Sequence, residues 1–155
     1  MNTTEALAIS CAIVPDRPAT IFGDWHQSYQ ELQERVNRVA NVLAELGVGP
    51  GDRVASMEVN CPQLIETYFA AACLDAIYVP LPFRAKNEET LYMVKNSEPK
   101  VMIVGARYLK MASTSIDDVG RHCHLVSMGG GSRPELDDYE GLLSVASSSQ
   151  VHFPQ

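Results

Sequence analysis

Two arginines occupy positions where an α/β sheet would bind an anionic ligand. Arg84 follows the apolar run 77–81, and Arg107 follows the apolar run 101–104. Ligands of open α/β sheets lie beyond the carboxyl ends of the strands, and a guanidinium can contact a phosphate through two hydrogen bonds. The placement therefore favours an anion site near both residues. For each arginine taken alone, a solvated side chain or a surface ion pair is the simpler interpretation.

The sequence contains no glycine-rich phosphate loop, since neither G-x-x-x-x-G-K-[ST] nor G-x-G-x-x-G occurs. The glycines at 47–51 follow a helical pattern and precede a strand pattern, which indicates a helix end and a turn rather than a phosphate site. The glycines at 129–131 do follow a predicted strand. They lack a lysine and a strong helix behind them, so we interpret them as a flexible loop.

Catalytic and metal-binding residues are not evident. In His122-Cys123-His124, the two histidines would share one face of a strand. A metal site needs further ligands, so we expect surface histidines and no metal. No G-x-S-x-G nucleophile motif occurs, and the acidic doublets at 117–118 and 137–138 fit solvated loops better than paired catalytic carboxylates. The residues themselves therefore predict no catalytic acid, base or nucleophile.

The elements that would position these residues alternate between strand and helix. Strands are predicted at 19–22, 25–29, 53–59, 77–81, 100–105 and 124–128, and helices at 28–46, 60–73, 87–96, 107–115 and 138–146. Ser28 and Glu31 form an S-x-x-E capping box, Gly47 ends that helix, and Asn60 is expected to cap the next one. The β-α-β-α-β order predicts an αβα sandwich with a mostly parallel sheet.

The same patterns predict which faces are buried. The run 77–81 is nearly all apolar, which is typical of a parallel strand covered by helices on both faces. The helix at 60–73 should turn an apolar face to the core, formed by Leu64, Ile65, Tyr68, Phe69, Ala72 and Cys73. The helix at 28–46 should turn a polar face to solvent, formed by Arg35, Asn37, Arg38, Asn41 and Glu45.

Composition limits the class of protein. The chain has 155 residues, a net charge of −7 and no lysine/arginine cluster, which argues against nucleic acid or an anionic membrane as partners. No transmembrane segment and no basic secretory signal are evident, so we expect a cytoplasmic protein. Four cysteines without a CxxC pair indicate reduced thiols. We expect a single α/β domain over residues 1–146 and a linker-like tail over 147–155.

Several motifs together resemble one enzyme family. They are Ser28-Tyr29-Gln30-Glu31-Leu32, GVGPGDRVA at 47–55, Asn60-Cys61-Pro62, VPLPFR at 79–84 and SEPK at 97–100. In this order and spacing they resemble the amino-terminal part of the adenylate-forming (AMP-binding) enzymes, in particular the acyl-CoA ligases. Two departures are visible. Pro82 stands where the family more often has Asn, and Asp75-Ala76 where Leu-Gly-Ala is usual.

The resemblance implies an enzyme that forms an acyl-adenylate from ATP and a fatty or other carboxylic acid, with Mg²⁺, and then a CoA thioester. It implies that Arg84 lies near the CoA phosphates, and it gives Arg107 and Lys110 a weaker claim to the same role. The family's Pro-Lys phosphate loop, ribose-binding acid and carboxy-terminal lysine do not occur in these residues. We therefore expect an amino-terminal portion that is inactive alone and binds no cofactor by itself.

Two other hypotheses remain open. In the first, the chain acts as a non-catalytic binding or assembly module, because a face that packs against the remainder of a ligase would be apolar and would attract a second copy. An unrelated flavodoxin-like or nucleotide-binding α/β domain is the other alternative, and the missing glycine fingerprint argues against it.

Overall fold

The alternating pattern folds into alternating elements. The computed structural model describes residues 3–129 and 137–151. The helices are α1 (Thr3–Ile13), α2 (Tyr29–Glu45), α3 (Pro62–Cys73), α4 (Asn87–Ser97), α5 (Leu109–Val119) and α6 (Tyr139–Val145). The strands are β1 (Pro18–Phe22), β2 (Trp25–Ser28), β3 (Arg53–Met57), β4 (Ile77–Pro80), β5 (Val101–Gly105), β6 (His124–Met128) and β7 (Asp137–Asp138). A short 3₁₀ turn, Ala106–Tyr108, joins β5 to α5.

Five of the strands form one parallel sheet in the order β4-β3-β5-β6-β7. Strands β1 and β2 form a separate antiparallel hairpin. Side chains of the central strand β5 alternate between two hydrophobic clusters. Val101 and Ile103 pack with α1, α2, α3 and α6, whereas Met102 and Val104 pack with α4 and α5. Helices therefore cover both faces of the sheet, which confirms the αβα sandwich predicted from the sequence.

Local signals correctly predicted the ends of α2. The Ser28 hydroxyl accepts a hydrogen bond from the Glu31 amide at 3.2 Å, and the Glu31 carboxylate accepts one from the Ser28 amide at 2.8 Å. Gly47 has φ +84°, in the left-handed region that follows many helices. The predicted Asn60 cap is wrong, because Cys61 occupies the N-cap of α3 without a side-chain hydrogen bond. Pro62 follows at the first helical position, where its missing N–H leaves one donor fewer to satisfy.

Burial differs in part from the prediction in three elements. In α3, Ile65 and Tyr68 are 40% and 43% exposed, while Glu66 and Thr67 are fully buried. Strand β4 lies at the edge of the sheet, where Ile77 is 53% exposed. Its Tyr78 and Val79 nevertheless pack against the clusters on opposite faces, as predicted. An edge position suits the proline that ends β4, since proline cannot donate to a ladder. The polar face of α2 is also not left to solvent, because α6 and residues 146–149 lie against it.

Smaller differences concern the last third of the chain. Strand β6 was predicted to be the last strand, but β7 pairs with it in parallel. The acidic doublets do not lie in loops, since 117–118 belong to α5 and 137–138 form β7. The glycine loop predicted at 129–131 lies largely outside the described residues. All four cysteines are free thiols, as expected. Within residues 3–129 and 137–151, no helix is long and apolar enough to cross a bilayer.

Candidate functional site

The carboxyl ends of β3, β4 and β5 meet at one edge of the parallel sheet, and polar residues follow each of them. Glu58 follows β3, Arg84 follows β4 and Arg107 follows β5. Arg84 is exposed, and its guanidinium carbon lies 5.3 Å from the centre of the Phe83 ring. Both arginines therefore lie at the carboxyl ends of the strands, as the sequence predicted.

Two of the three predicted basic residues share one groove. Arg107 and Lys110 line a concavity of about 560 Å³ between α4 and α5, together with Glu88, Thr114 and Asp118. Arg84 lines a neighbouring groove, whose wall contains Glu88 and Glu89. The structure thus brings Arg107 and Lys110 together and leaves Arg84 on a separate surface. Acidic side chains lie in both grooves, so neither is a purely cationic site.

Glu58 was not singled out from the sequence, although it contacts one of the predicted residues. Its carboxylate lies 3.5 Å from the Arg107 guanidinium and accepts a hydrogen bond from the Val59 amide at 2.7 Å. The Glu58 side chain is only 12% exposed, whereas that of Arg107 is 64% exposed. The Nε atom of Arg107 is therefore paired with a nearly buried carboxylate, while the rest of its side chain stays accessible to a ligand.

Gly105 makes room for that acid. A Cβ atom built on Gly105 would lie 1.7 Å from Glu58 Oε2 and 2.4 Å from its carboxyl carbon. The backbone of Gly105, with φ −61° and ψ 144°, is open to any residue. The requirement for glycine at this position is therefore steric and not conformational. The sequence signal was a glycine at the end of a buried strand, which often marks such a close approach.

A second polar cluster is buried between α2, α3, α6 and the β1–β2 hairpin. At its centre is the Glu66 carboxylate, which is fully buried. It accepts hydrogen bonds from Arg35 Nε at 2.6 Å, from Gln27 Nε2 at 3.0 Å and from the Tyr139 hydroxyl at 2.7 Å. Arg35 also pairs with Glu140 at 2.7 Å. Helices α2 and α6 and the β1–β2 hairpin are thus tied to one carboxylate of α3.

The buried cluster shifts the pKa of two of its members. Burial lowers the pKa of the Arg35 guanidinium, but the hydrogen bonds and charges of Glu140 and Glu66 outweigh it and raise the pKa above its ordinary value. Burial and the charge of Glu66 raise the pKa of Tyr139 well above its usual value. Tyr139 consequently stays a neutral donor and Arg35 stays a cation, which is the pairing of a structural cluster rather than of a proton-transfer site.

The geometry and sequence match known enzymes. The family model for AMP-binding enzyme matches residues 7–151. A crotonobetaine/carnitine–CoA ligase of Salmonella paratyphi B is 38% identical over 84 residues, which are 54% of this chain and 16% of that protein. The crystal structure of an anthranilate CoA ligase with anthranoyl-AMP superposes with a TM-score of 0.90 at 20% identity, over 98% of this chain and 30% of that one.

A further solved structure combines similar shape with higher identity. A putative long-chain-fatty-acid CoA ligase from Rhodopseudomonas palustris has a TM-score of 0.89 and 26% identity, over all of this chain and 38% of that one. The chain therefore spans less than two fifths of the length of the relatives described. With the family model matching from Leu7 to Val151, this chain belongs to the AMP-binding enzyme family.

Proposed function

We propose that this chain is the amino-terminal portion of an ATP-dependent acyl-CoA ligase of the cytoplasm, which forms an acyl-adenylate and then a thioester. The family match over residues 7–151 is the observation that carries the proposal. In this proposal the αβα sandwich is a scaffold that presents basic side chains at one sheet edge. The chemistry on ATP, Mg²⁺ and a fatty or other carboxylic acid belongs to the remainder of the ligase, so the portion alone is inactive.

Arg84, Arg107 and Lys110 would contact the phosphates of CoA. The shared groove of Arg107 and Lys110 supports this role, since two exposed cations can hold one phosphate between them. Glu88 and Asp118 in the same groove limit the attraction to a single anionic group. Each basic residue acts by charge and hydrogen bonding, and none of them moves a proton.

The inactivity of the isolated chain can be measured by ATP–pyrophosphate exchange with a panel of fatty and aromatic acids. The purified chain should show no exchange above a blank, and a full-length bacterial CoA ligase serves as the positive control. Acid-dependent exchange by the purified chain would contradict the proposal that this portion is only a scaffold.

The role of the basic residues needs a separate binding measurement. Titration of CoA by calorimetry into a ligase that contains this portion should show binding that Arg107→Ala and Lys110→Ala each reduce by about tenfold or more, as for the loss of one charged hydrogen bond. The isolated portion should bind no CoA measurably. Lys95→Ala, at the far end of α4 and outside both grooves, is the matched control. Equal binding by all variants would remove these residues from the CoA site.

A second candidate function is assembly through an exposed apolar surface. Ile21, Phe22 and Ile65 are 65%, 50% and 40% exposed and line one groove between the hairpin and α3. Such a surface supports the hypothesis of self-association or of contact with the remainder of a ligase. Light scattering should then show dimers that Phe22→Ser disrupts. A monomer at all concentrations would argue against self-association.

A further inference from the structure

Two histidine rings converge at the amino-terminal edge of the sheet, just before and at the start of β6. The Nε2 atoms of His122 and His124 lie 3.1 Å apart, where one ring donates a hydrogen bond to the other. The ring centres are 4.4 Å apart and the ring planes are 85° to each other. The Nε2 atoms of both imidazoles therefore face the same small volume. The alternation of side chains along a strand does not by itself bring two such nitrogens together.

We propose that His122 and His124 together chelate one divalent ion of the nickel, copper and zinc group. Metal–imidazole bonds are about 2.0–2.1 Å long. An ion placed at that distance from two nitrogens 3.1 Å apart subtends an N–metal–N angle of about 98°. That angle lies between the right angle of octahedral or square-planar ions and the tetrahedral angle of zinc, so the rings need little movement to accept an ion.

The backbone holds one ring of the pair in place. His124 is the first residue of β6, its amide donates a hydrogen bond to the Lys100 carbonyl at 2.9 Å, and it pairs in register with Val101. His122 stands two residues earlier, in the irregular segment that leads into β6. One of the two ligands therefore projects from a sheet strand, and the binding of an ion would have to order only the other.

Cys123 does not supply a third ligand. Its side chain packs against the hydrophobic cluster beneath α4 and α5. No three His, Cys, Asp or Glu side chains come together as a metal site in residues 3–129 and 137–151. Water would therefore complete the coordination of the ion.

Carboxylates offset most of the positive charge beside the pair. The cavity that His122 lines also contains the cations Arg53, Lys100 and Arg121 and the acids Asp52 and Glu98. Lys100 forms an ion pair with Asp52 at 3.0 Å, whereas Arg53 and Arg121 share Glu98. One positive charge is thus left over, so an ion bound by the imidazoles replaces their mutual hydrogen bond against a weakly positive surface, which limits its affinity.

The site is independent of the proposed ligase function. Parallel strands place all their amino ends at one edge, and Arg84 and Arg107 follow the carboxyl ends. The histidine pair therefore lies at the opposite edge of the sheet from the proposed CoA contacts. A metal-binding result can be positive or negative without bearing on adenylation.

Titration of Ni²⁺ into the reduced full chain by calorimetry tests the proposal. We expect one ion per chain, and we expect His122→Ala or His124→Ala to weaken its binding by at least about tenfold, because each variant removes the second, intramolecular ligand. His26→Ala removes an exposed histidine from β2 and should leave the affinity unchanged. Mn²⁺, which ranks lowest in the divalent series, should bind far more weakly than Ni²⁺.

Three results would overturn the proposal: no binding of Ni²⁺ at millimolar concentration, the same affinity in both single variants as in the parent chain, or an equal loss in His26→Ala. Circular dichroism of each variant shows whether the fold is kept, and both histidines are close enough to the surface for folding to survive their replacement. In the conservative variant His124→Gln, an unchanged melting temperature with lost Ni²⁺ binding would support a ligand role over a structural one.

Discussion

At the scale of single residues, the most demanding side chain is Glu66. A carboxylate withdrawn from water is tolerated only when its oxygens are fully hydrogen-bonded and its charge is paired. Glu66 meets both conditions through Arg35, Gln27 and Tyr139. Removal of the acid would leave a half-buried guanidinium and a buried hydroxyl without their partner. The loss of this residue is therefore about as costly as that of a large apolar core residue.

We predict that Glu66→Ala lowers the free energy of unfolding by about 3–5 kcal/mol, as is usual when one member of a buried ion pair is removed. Glu140→Ala is the matched control, since it removes the half-exposed acid that pairs with the same Arg35 and should cost no more than about 1 kcal/mol. Urea denaturation measures both. Similar losses in the two variants would show that burial of Glu66 is not what makes it important.

Gly105 gives a second prediction for a single residue. In Gly105→Ala the new methyl group would occupy the place of the Glu58 carboxylate, so the acid must swing away from Val59 and Arg107. We expect a loss of about 1–3 kcal/mol in unfolding free energy, typical of overpacking. The additional change Glu58→Ala should recover part of this loss. Gly141→Ala, where a Cβ would meet nothing closer than 3.4 Å, should be neutral or stabilising.

At the scale of elements, features that depend on nearby residues were predicted well, and features that depend on residues far away in the chain were not. The capping box of Ser28 and Glu31 and the left-handed Gly47 involve residues within one turn, so their types and spacing are sufficient. The burial of Glu66 depends on partners that are 39, 31 and 73 residues away in the chain. No periodicity within α3 contains that information. Hydrophobicity correctly indicated that Leu64, Phe69 and Cys73 pack against the core, but it failed for the exposed Ile65 and Tyr68.

In the candidate site too, some features could be predicted from local sequence signals and others could not. The positions of Arg84 and Arg107 follow from strand ends, which can be read from apolar runs. The contact of Arg107 with Glu58 could not be predicted, because it needs the neighbouring strands β3 and β5 to be in register. The edge position of β4 is likewise a property of strand order, which is not encoded in any one segment.

The hydrogen bonds made by the polar face of α2 lead to a prediction about residues 147–149, which cross that face. Asn41 Nδ2 donates to the carbonyls of Ser147 and Ser149, and Asn37 Nδ2 donates to that of Ser148. The double change of both asparagines to Ala should release residues 147–149 and raise the rate of proteolysis there several-fold, because backbone cleavage requires local opening. Asn96→Ala on exposed α4 is the control. An unchanged cleavage rate in the double variant would show that these hydrogen bonds do not hold the segment.

At the scale of the whole molecule, several buried acids determine the response to alkali. Burial raises the pKa of three thiols (Cys61, Cys73 and Cys123) and two phenols (Tyr78 and Tyr139). Each of these groups is neutral in the fold at a pH where its unfolded counterpart ionises. Their contribution to stability is therefore complete below the unfolded values of 9.0 and 10.0 and is lost as the pH rises above them.

We predict that the free energy of unfolding falls between about pH 8 and about pH 11. Cys123→Ala should lessen this fall, since it removes a group whose folded pKa is about 11. Cys11→Ala, on the outer helix α1, is the comparison variant. Urea titrations across this range measure the slope. A fall that is equally steep in Cys123→Ala and in the parent chain would argue against the contribution of this thiol.

The hydrogen bonds between α2 and the serine-rich segment have an evolutionary consequence. Asn37 and Asn41 donate hydrogen bonds to the backbone carbonyls of residues 147–149, and every amino acid possesses such a carbonyl. Natural selection can therefore act on the two helix residues while the sequence of the crossing segment drifts. Among homologues we expect the backbone path of this segment to be conserved more strongly than its amino-acid sequence.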